Sequence, residues 1–152
     1  MFFWIESVGN PGLSLDEEKT HFSLWAMWSA PLIAGNDPRS MNGTDDASKI
    51  LLNTEVIAID QDPAVNMATK VMDHAGLQVW DKQLQATGSH AVGLVNITNT
   101  PTAMSVNANT IGLTTITSIH DLWLHQDITS VSNTYSAIVP AHGIVLLKIS
   151  GN

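Results

Sequence analysis

Three carboxylates near the start of the chain, Glu6, Asp16 and Glu17, have the residue type needed for general acid and base chemistry. Local structure explains two of them. Ser14 followed by Glu17 forms a capping box, in which the hydroxyl and the carboxylate each accept a hydrogen bond from a backbone N–H. Asp16 follows in the first helical turn, where the helix dipole favours an acid. The sequence therefore predicts a structural role for these carboxylates.

A second group, His120, Asp121, His125 and Asp127, contains residue types that ligate metal ions. Side chains alternate between the two faces of a strand, so this segment places His120 on the face opposite to Asp121 and His125. A metal site here requires a bend in the chain. We therefore predict no metal site and no cofactor.

Two further acidic segments are interpreted as backbone connectors. Asn36-Asp37-Pro38 follows a predicted strand, where a catalytic residue could stand, but Asn-Asp-Pro is also ordinary turn chemistry. Asp60-Gln61-Asp62-Pro63 has the spacing of a cation loop but lacks the further oxygen ligands that Ca²⁺ requires. The first is predicted to be a turn and the second a connector between two parts of the chain.

The elements that position these residues begin with a helix. The capping box starts it at Ser14, and Pro31 ends it. One apolar stripe at helical spacing supports it, formed by Leu15, Phe22, Trp25 and Ala26. Leu32-Ile33-Ala34 is too short for a helix and too apolar for a loop, which predicts a strand buried on both faces. With a weaker strand over Phe2 to Val8, the segment predicts one βαβ unit.

The chain stays helical up to Asp60 and then changes character. Thr44 is the predicted N-cap of one helix, and Thr54-Glu55 begins a shorter one. After residue 66, short runs rich in Val, Ile, Thr and Trp alternate with turn residues, which predicts strands. The predicted strands are Lys70–Asp73, Leu77–Gln83, His90–Thr98, Thr102–Asn107, Thr115–His125, Tyr135–Val139 and Ile144–Ile149.

This order of elements predicts an α/β part followed by an all-β part. A short buried parallel strand needs neighbours on both edges, so residues 1–66 are predicted to be the last βα units of a (β/α)₈ TIM barrel. Residues 67–152 are predicted to form an antiparallel β-sandwich domain, because seven short strands are separated by regular turns.

The composition excludes two classes of partner. The 152 residues carry a net charge of −8 with only six Lys and Arg, so no basic face for nucleic acid can be assembled. No apolar run approaches the roughly 20 residues of a membrane span, and Met1-Phe2-Phe3-Trp4 lacks the features of a signal peptide. The sequons Asn42-Gly43-Thr44 and Asn96-Ile97-Thr98 are candidate N-glycosylation sites.

Several blocks of this sequence, taken in order, resemble the C-terminal half of the melibiase-type α-galactosidases, which are retaining glycoside hydrolases. In the first part these blocks are Val8–Asn10, Leu13–Ala26, Ala30–Asp37 and Glu55–Pro63. In the second part they are Gln78–Lys82, Ala91–Asn96, His120–Trp123 and Val139–Gly143. The resemblance implies a (β/α)₈ barrel followed by an antiparallel β-domain, hydrolysis of terminal α-linked galactose, and a secreted enzyme.

The same resemblance implies where the chemistry lies. Both catalytic aspartates of the family stand at the ends of the fourth and sixth barrel strands, upstream of the matching residues, so we assign no catalytic and no substrate-binding residue in this chain. Where the family has Asp-Pro-Asp-Met, this chain has Phe2-Phe3-Trp4-Ile5. Trp4 could stack on a sugar, but an aromatic beside a strand is more often a core residue. We expect the chain to be inactive alone.

Two alternatives stay open. A non-catalytic carbohydrate-binding or accessory module predicts exposed aromatic residues on one sheet face, for which the candidates are Trp80, Trp123 and Tyr135. An assembly role predicts that the open edge of residues 1–66 pairs with a second copy or with a partner chain that completes the barrel.

Overall fold

The computed structural model describes residues 8–9, 11–35, 37, 39 and 41–152. Helix α1 spans Leu15–Met27 and begins with the predicted capping box. The Ser14 N–H donates to Glu17 Oε2 at 2.8 Å, and the Glu17 N–H donates to Ser14 Oγ at 3.3 Å. The predicted start of the first helix is confirmed.

Two shorter helices follow, α2 over Asp46–Leu51 and α3 over Thr54–Asp60. The N-cap of α2 is Asp45, so the prediction of Thr44 was wrong by one residue. Asp45 Oδ1 accepts from the Ser48 N–H at 2.8 Å, whereas the Thr44 hydroxyl donates to the Asn42 side chain. A carboxylate accepts more strongly than a hydroxyl at this position, because it bears the charge that the helix dipole favours.

The prediction of a buried strand over Leu32-Ile33-Ala34 was wrong for this chain. Only Ala34 makes a β-bridge, and Ile33 is 58% exposed. A strand acquires its hydrogen bonds and its burial from neighbours, and the described residues provide no sheet on either side of this segment. The weaker strand candidate lies outside the described residues except for Val8, which is buried in a turn.

The second part is antiparallel β structure. Its strands are β1 Thr69–His74, β2 Leu77–Gln83, β3 Ser89–Asn96, β4 Thr102–Asn107, β5 Ile116–Asp121, β6 Gln126–Asp127, β7 Thr134–Val139 and β8 Ile144–Gly151. Six of them form one sheet in the order β1-β2-β3-β8-β5-β6, and β4 pairs with β7 in a second sheet. A short 3₁₀ helix, Ala108–Ile111, follows β4. The seven predicted strands are present, with one correction.

The correction concerns the run predicted as one strand over Thr115–His125. Strand β5 ends at Asp121, and a four-residue turn leads into β6. Asp121 Oδ1 accepts hydrogen bonds from the Trp123 and Leu124 N–H groups, both at 2.9 Å, and His125 has a φ of 54°. An acidic side chain that bonds the backbone two and three residues ahead stabilises a turn, and it ends the strand here.

The six-stranded sheet has two apolar faces. Ala91 and Val95 of β3 pack against α1, α2 and α3, whereas Val92 and Leu94 pack under β4 and β7. The alternation of side chains along β3 therefore supplies two cores at once. The helices share a hydrophobic core with one face of the sheet.

Within the described ranges, no helix is long and apolar enough to cross a membrane.

Candidate functional site

A cleft of about 470 Å³ separates α3 from the open edge of the large sheet. Its polar lining comes from Glu55 and Asp62 on the helix side, and from His120, Asp127 and Lys148 on the strands. Three acids and two bases share this space. The cleft brings residues of α3 together with residues of the sheet.

The centre of the cleft is an imidazole held by two carboxylates. His120 Nδ1 lies 2.6 Å from Asp127 Oδ1, and His120 Nε2 lies 3.0 Å from Glu55 Oε2. An ionised carboxylate only accepts hydrogen bonds, so both ring nitrogens must carry protons to satisfy this geometry. The Asp127 hydrogen bond, with a smaller contribution from Glu55, raises the pKa of His120 above its usual range. The arrangement favours an imidazolium ion.

The cluster differs from the group considered in the sequence. His125 does reach the same place as His120, because its Nδ1 lies 3.2 Å from Glu55 Oε2, and the turn after β5 makes this approach possible. Asp121 does not join them, since its carboxylate holds that turn. Glu55, 65 residues from His120, was missed because strand alternation says nothing about a helix packed on the sheet. Among the described residues no group of three or more His, Asp or Glu side chains is arranged to hold a metal ion.

Lys82 joins the sheet to the helices. The residue lies on β2 and is 0% exposed. Its Nζ donates to Ala26 O at 3.0 Å, to Ser29 Oγ at 2.9 Å and to Ile59 O at 2.6 Å. The two carbonyls belong to the last turns of α1 and α3, where helical partners are missing and the dipole favours a cation. One ammonium group therefore caps two helices from the sheet.

The burial of Lys82 has an electrostatic cost. Desolvation lowers the pKa of its ammonium group, and the charges of Asp60 and Asp62 oppose that effect. The sequence did offer a signal for this contact. Lys82 shares a strand face with Trp80 and Leu84, both of which pack in the core under the helices. A lysine in line with apolar neighbours at a spacing of two must either be paired or distort the sheet.

The segment Asp60-Gln61-Asp62-Pro63 begins at the last residue of α3. Asp62 Oδ1 accepts from the Ala64 N–H at 3.0 Å and from the Gln85 N–H at 2.9 Å, which fastens the connector to the turn after β2. Burial raises the pKa of Asp60, whose Oδ2 accepts from the Gln61 amide. These bonds give the segment a structural role.

The acids near the start of the chain also have structural partners. Hydrogen bonds from Ser14 lower the pKa of Glu17, and Asp16 lies in the first turn of α1. Asp37 accepts a bidentate hydrogen bond from Arg39, with Nε at 2.9 Å and Nη2 at 2.7 Å, which lowers its pKa. Glu6, Trp4, Asn36 and Pro38 lie outside the described residues.

The three aromatic candidates for a sugar platform lie apart. Trp80 packs edge-on against Trp28 with ring centroids 5.4 Å apart. Trp123 donates from Nε1 to Ser23 Oγ at 3.0 Å on the same side of the sheet. Tyr135 packs in the other core, under the second sheet. Aromatic side chains on opposite sides of a sheet cannot form one stacking surface.

The two candidate glycosylation residues differ in their surroundings. Asn42 is exposed in the loop that leads into α2, whereas Asn96, the last residue of β3, is 0% exposed.

Comparison with known proteins identifies the two parts. Residues 5–62 match the family described as alpha galactosidase A, and residues 74–149 match the alpha galactosidase C-terminal beta sandwich domain. The chain is 37% identical over 137 residues to an α-galactosidase of Coffea arabica, covering 89% of this chain and 35% of that protein. It is 34% identical over 149 residues to a probable α-galactosidase of Dictyostelium discoideum, covering 94% of this chain and 38% of that one.

Solved structures agree with this match. α-Galactosidase I of Mortierella vinacea superposes with a TM-score of 0.89 at 28% identity, over 97% of this chain and 40% of that one. A GH27 β-L-arabinopyranosidase from Geobacillus stearothermophilus superposes with a TM-score of 0.82 at 25% identity, over 95% of this chain and 34% of that one. The shared architecture is that of glycoside hydrolases with a TIM barrel followed by a β-sandwich.

With a family match that includes half of its residues, the chain belongs to the melibiase-type α-galactosidases. It spans about a third of the length of the curated relatives that it matches, 35% of the Coffea protein and 32% of an Arabidopsis thaliana one. Its residues correspond to the end of the barrel and the β-sandwich.

Proposed function

We propose that this chain is the C-terminal part of an α-galactosidase that hydrolyses terminal α-linked galactose with retention, and that the 152 residues alone do not catalyse the reaction. The observation that carries this proposal is the paired match, to the family's main domain over residues 5–62 and to its C-terminal domain over residues 74–149. A division of the chain at residue 66 fits both matches, and the substrate follows from the names of the relatives.

The chemistry of a retaining glycosidase supports the second half of the proposal. Such an enzyme needs a nucleophilic carboxylate and an acid/base carboxylate about 5 Å apart on either side of the glycosidic bond. Four of the described acids are engaged elsewhere: Glu17 in a helix cap, Asp37 with Arg39, Asp121 in a turn and Glu55 with His120.

What the chain contributes is the support of the barrel end. Helices α1 and α3 are barrel helices in this assignment, and Lys82 fixes both of them to the β-sandwich. The exposed apolar side chain of Ile33 then marks where the remaining barrel strands pack. Pairing of the same edge with a second copy or with a separate chain is the alternative proposal, and a secretory location is proposed from the family resemblance.

A chimera tests the proposal. The matching segment of the Coffea arabica α-galactosidase is replaced by this chain, and hydrolysis of a chromogenic α-galactoside is measured for the chimera, for the unmodified enzyme and for this chain alone. We expect activity in the chimera and none above the buffer blank for the chain alone.

Two results would contradict the proposal. Turnover by the chain alone would mean that carboxylates present here form a catalytic pair. A chimera that shows a cooperative thermal transition but cleaves a β-L-arabinopyranoside instead of the α-galactoside would assign the chain to the other activity found on this fold.

A further inference from the structure

The two sequons have the same local geometry around the amide oxygen. In the first, Asn42 Oδ1 accepts from the Thr44 N–H at 2.8 Å and from Thr44 Oγ1 at 2.9 Å. In the second, Asn96 Oδ1 accepts from the Thr98 N–H at 2.9 Å and from Thr98 Oγ1 at 2.7 Å. Sequence and local turn therefore do not distinguish them.

The amide nitrogen distinguishes the two residues. Asn96 Nδ2 donates to Thr100 O at 2.9 Å and to Val139 O at 3.1 Å, inside a residue that is 0% exposed. It joins the end of β3 to the end of β7. A glycan on this nitrogen would replace one of its two amide hydrogens, so at least one of the two hydrogen bonds would be lost, and the 0% exposed side chain leaves no space for a sugar.

Asn42 keeps its nitrogen free for chemistry. The residue is exposed, and among the described residues its Nδ2 donates to no acceptor. Its Oδ1 accepts a third hydrogen bond, from the Asp45 N–H at 2.8 Å, and its backbone N–H donates to Asp45 Oδ2 at 2.8 Å. All the structural bonds of Asn42 use the oxygen or the backbone, so a substituent on Nδ2 leaves the loop and the cap of α2 intact.

We propose that Asn42 is the residue of this chain that carries an N-linked glycan, and that Asn96 is a structural residue despite its sequon. In the transfer, Asn42 Nδ2 forms a bond to the anomeric carbon of an oligosaccharide linked to a polyprenyl diphosphate. The bond from that carbon to the diphosphate oxygen breaks, the lipid diphosphate leaves, and one amide proton passes to a base of the transferase. The modification rests on the secretory location in the proposed function.

The site can be tested without relying on that location. The chain is produced without glycan in bacteria, its folding is checked by thermal unfolding, and it is incubated with an oligosaccharyltransferase and the lipid-linked oligosaccharide. We expect a mass increase of one glycan, mapped to the Asn42 peptide. Short peptides spanning residues 38–48 and 92–102 serve as controls; both are expected to be modified, which would attribute the protection of Asn96 to the fold.

Matched variants define the contribution of each atom. Asn42→Asp retains an oxygen acceptor for the same bonds but removes the nitrogen, and should abolish the glycan with no change in melting temperature. Thr44→Ser should retain the glycan, and Thr44→Ala should lose it. A glycan at Asn96 in the folded chain, or none at Asn42 while its peptide is modified, would overturn the proposal.

Glycosylation of Asn42 can also be tested in a eukaryotic cell. When the chain carries an added secretion leader in a eukaryotic host, its monomeric fraction should bear one glycan, removed by an endoglycosidase and absent from Asn42→Asp. Because the leader forces entry, an unmodified monomer would contradict the site itself. Failure of the chimera to hydrolyse α-galactosides would instead contradict the proposed function and leave this result unaffected.

Discussion

Strand β3 and the segment Leu32–Ala34 are both apolar, but they differ in burial. All eight residues of β3, Ser89–Asn96, are buried, whereas Ile33 is 58% exposed. Both stretches are rich in aliphatic side chains, so hydrophobicity does not explain the difference. Strand β3 pairs with β2 on one edge and with β8 on the other, and has a core on each face. Burial is conferred by neighbours, and these residues provide neighbours for only one of the two.

The largest effect on the free energy of unfolding should come from truncating a side chain in β3, and the same change in Leu32–Ala34 should have little effect. Leu94→Ala in β3 removes a wholly buried side chain and leaves a cavity, so the free energy of unfolding should fall by about 2–5 kcal/mol. Ile33→Ala should change it by less than about 0.5 kcal/mol. Urea unfolding followed by tryptophan fluorescence measures both. A large loss in Ile33→Ala would show that Leu32–Ala34 is packed in solution.

Lys82 tests whether the helices depend on the sheet. Lys82→Met preserves the length of the side chain but leaves Ala26 O and Ile59 O without their donor, so stability should fall by about 1–3 kcal/mol. The matched control is Lys148→Met on β8, an exposed lysine, which should change stability by less than about 0.5 kcal/mol. Chemical denaturation gives both values. Equal stability of Lys82→Met and the unmodified chain would mean that apolar packing compensates for the lost bonds.

Local patterns predicted several elements whose causes are local. The capping box at Ser14 and the limits of β2 and β4 followed from neighbouring residues, and the structure agrees. The N-cap of α2 and the end of β5 were missed although their causes are also local, whereas one error arose where distant residues decide. Leu32–Ala34 was predicted to be a buried strand, but only neighbouring strands could bury it.

The candidate site shows the same limit. No spacing in the sequence indicates that Glu55 meets His120, or that the Lys82 ammonium reaches two helix ends, because both contacts depend on how α1 and α3 lie on the sheet. The two sequons, both Asn-X-Thr, differ in burial and in the tertiary partners of the amide nitrogen, which the sequence does not indicate.

The groups around His120 are partly exposed, and so lie between the buried strand β3 and the exposed Ile33. They link α3 to the edge of the large sheet. Since the pKa of His120 is raised in the folded state, protonation stabilises that state. The contribution is fully present below the unfolded pKa of about 6.5, and is lost as the pH rises through the raised pKa. Asp127 and Glu55 bind the ring directly, and Lys148 is the residue paired with His120 on β8.

The pH dependence of His120→Gln measures this link. Glutamine can donate to only one of the two carboxylates at a time and carries no charge, so the variant should melt at a lower temperature than the unmodified chain at about pH 5, and the gap should close by about pH 9. His125→Gln, which removes a single contact to Glu55, should lower the melting temperature by less than His120→Gln does at about pH 5. A gap that is constant over this range would assign His120 a packing role alone. A difference in melting temperature that disappears at high pH would show that an ionic contact, Glu55 with His120, holds the start of α3 to the sheet. The end of α3 is held by the buried Lys82, so acid would strengthen only the contact at the start of the helix.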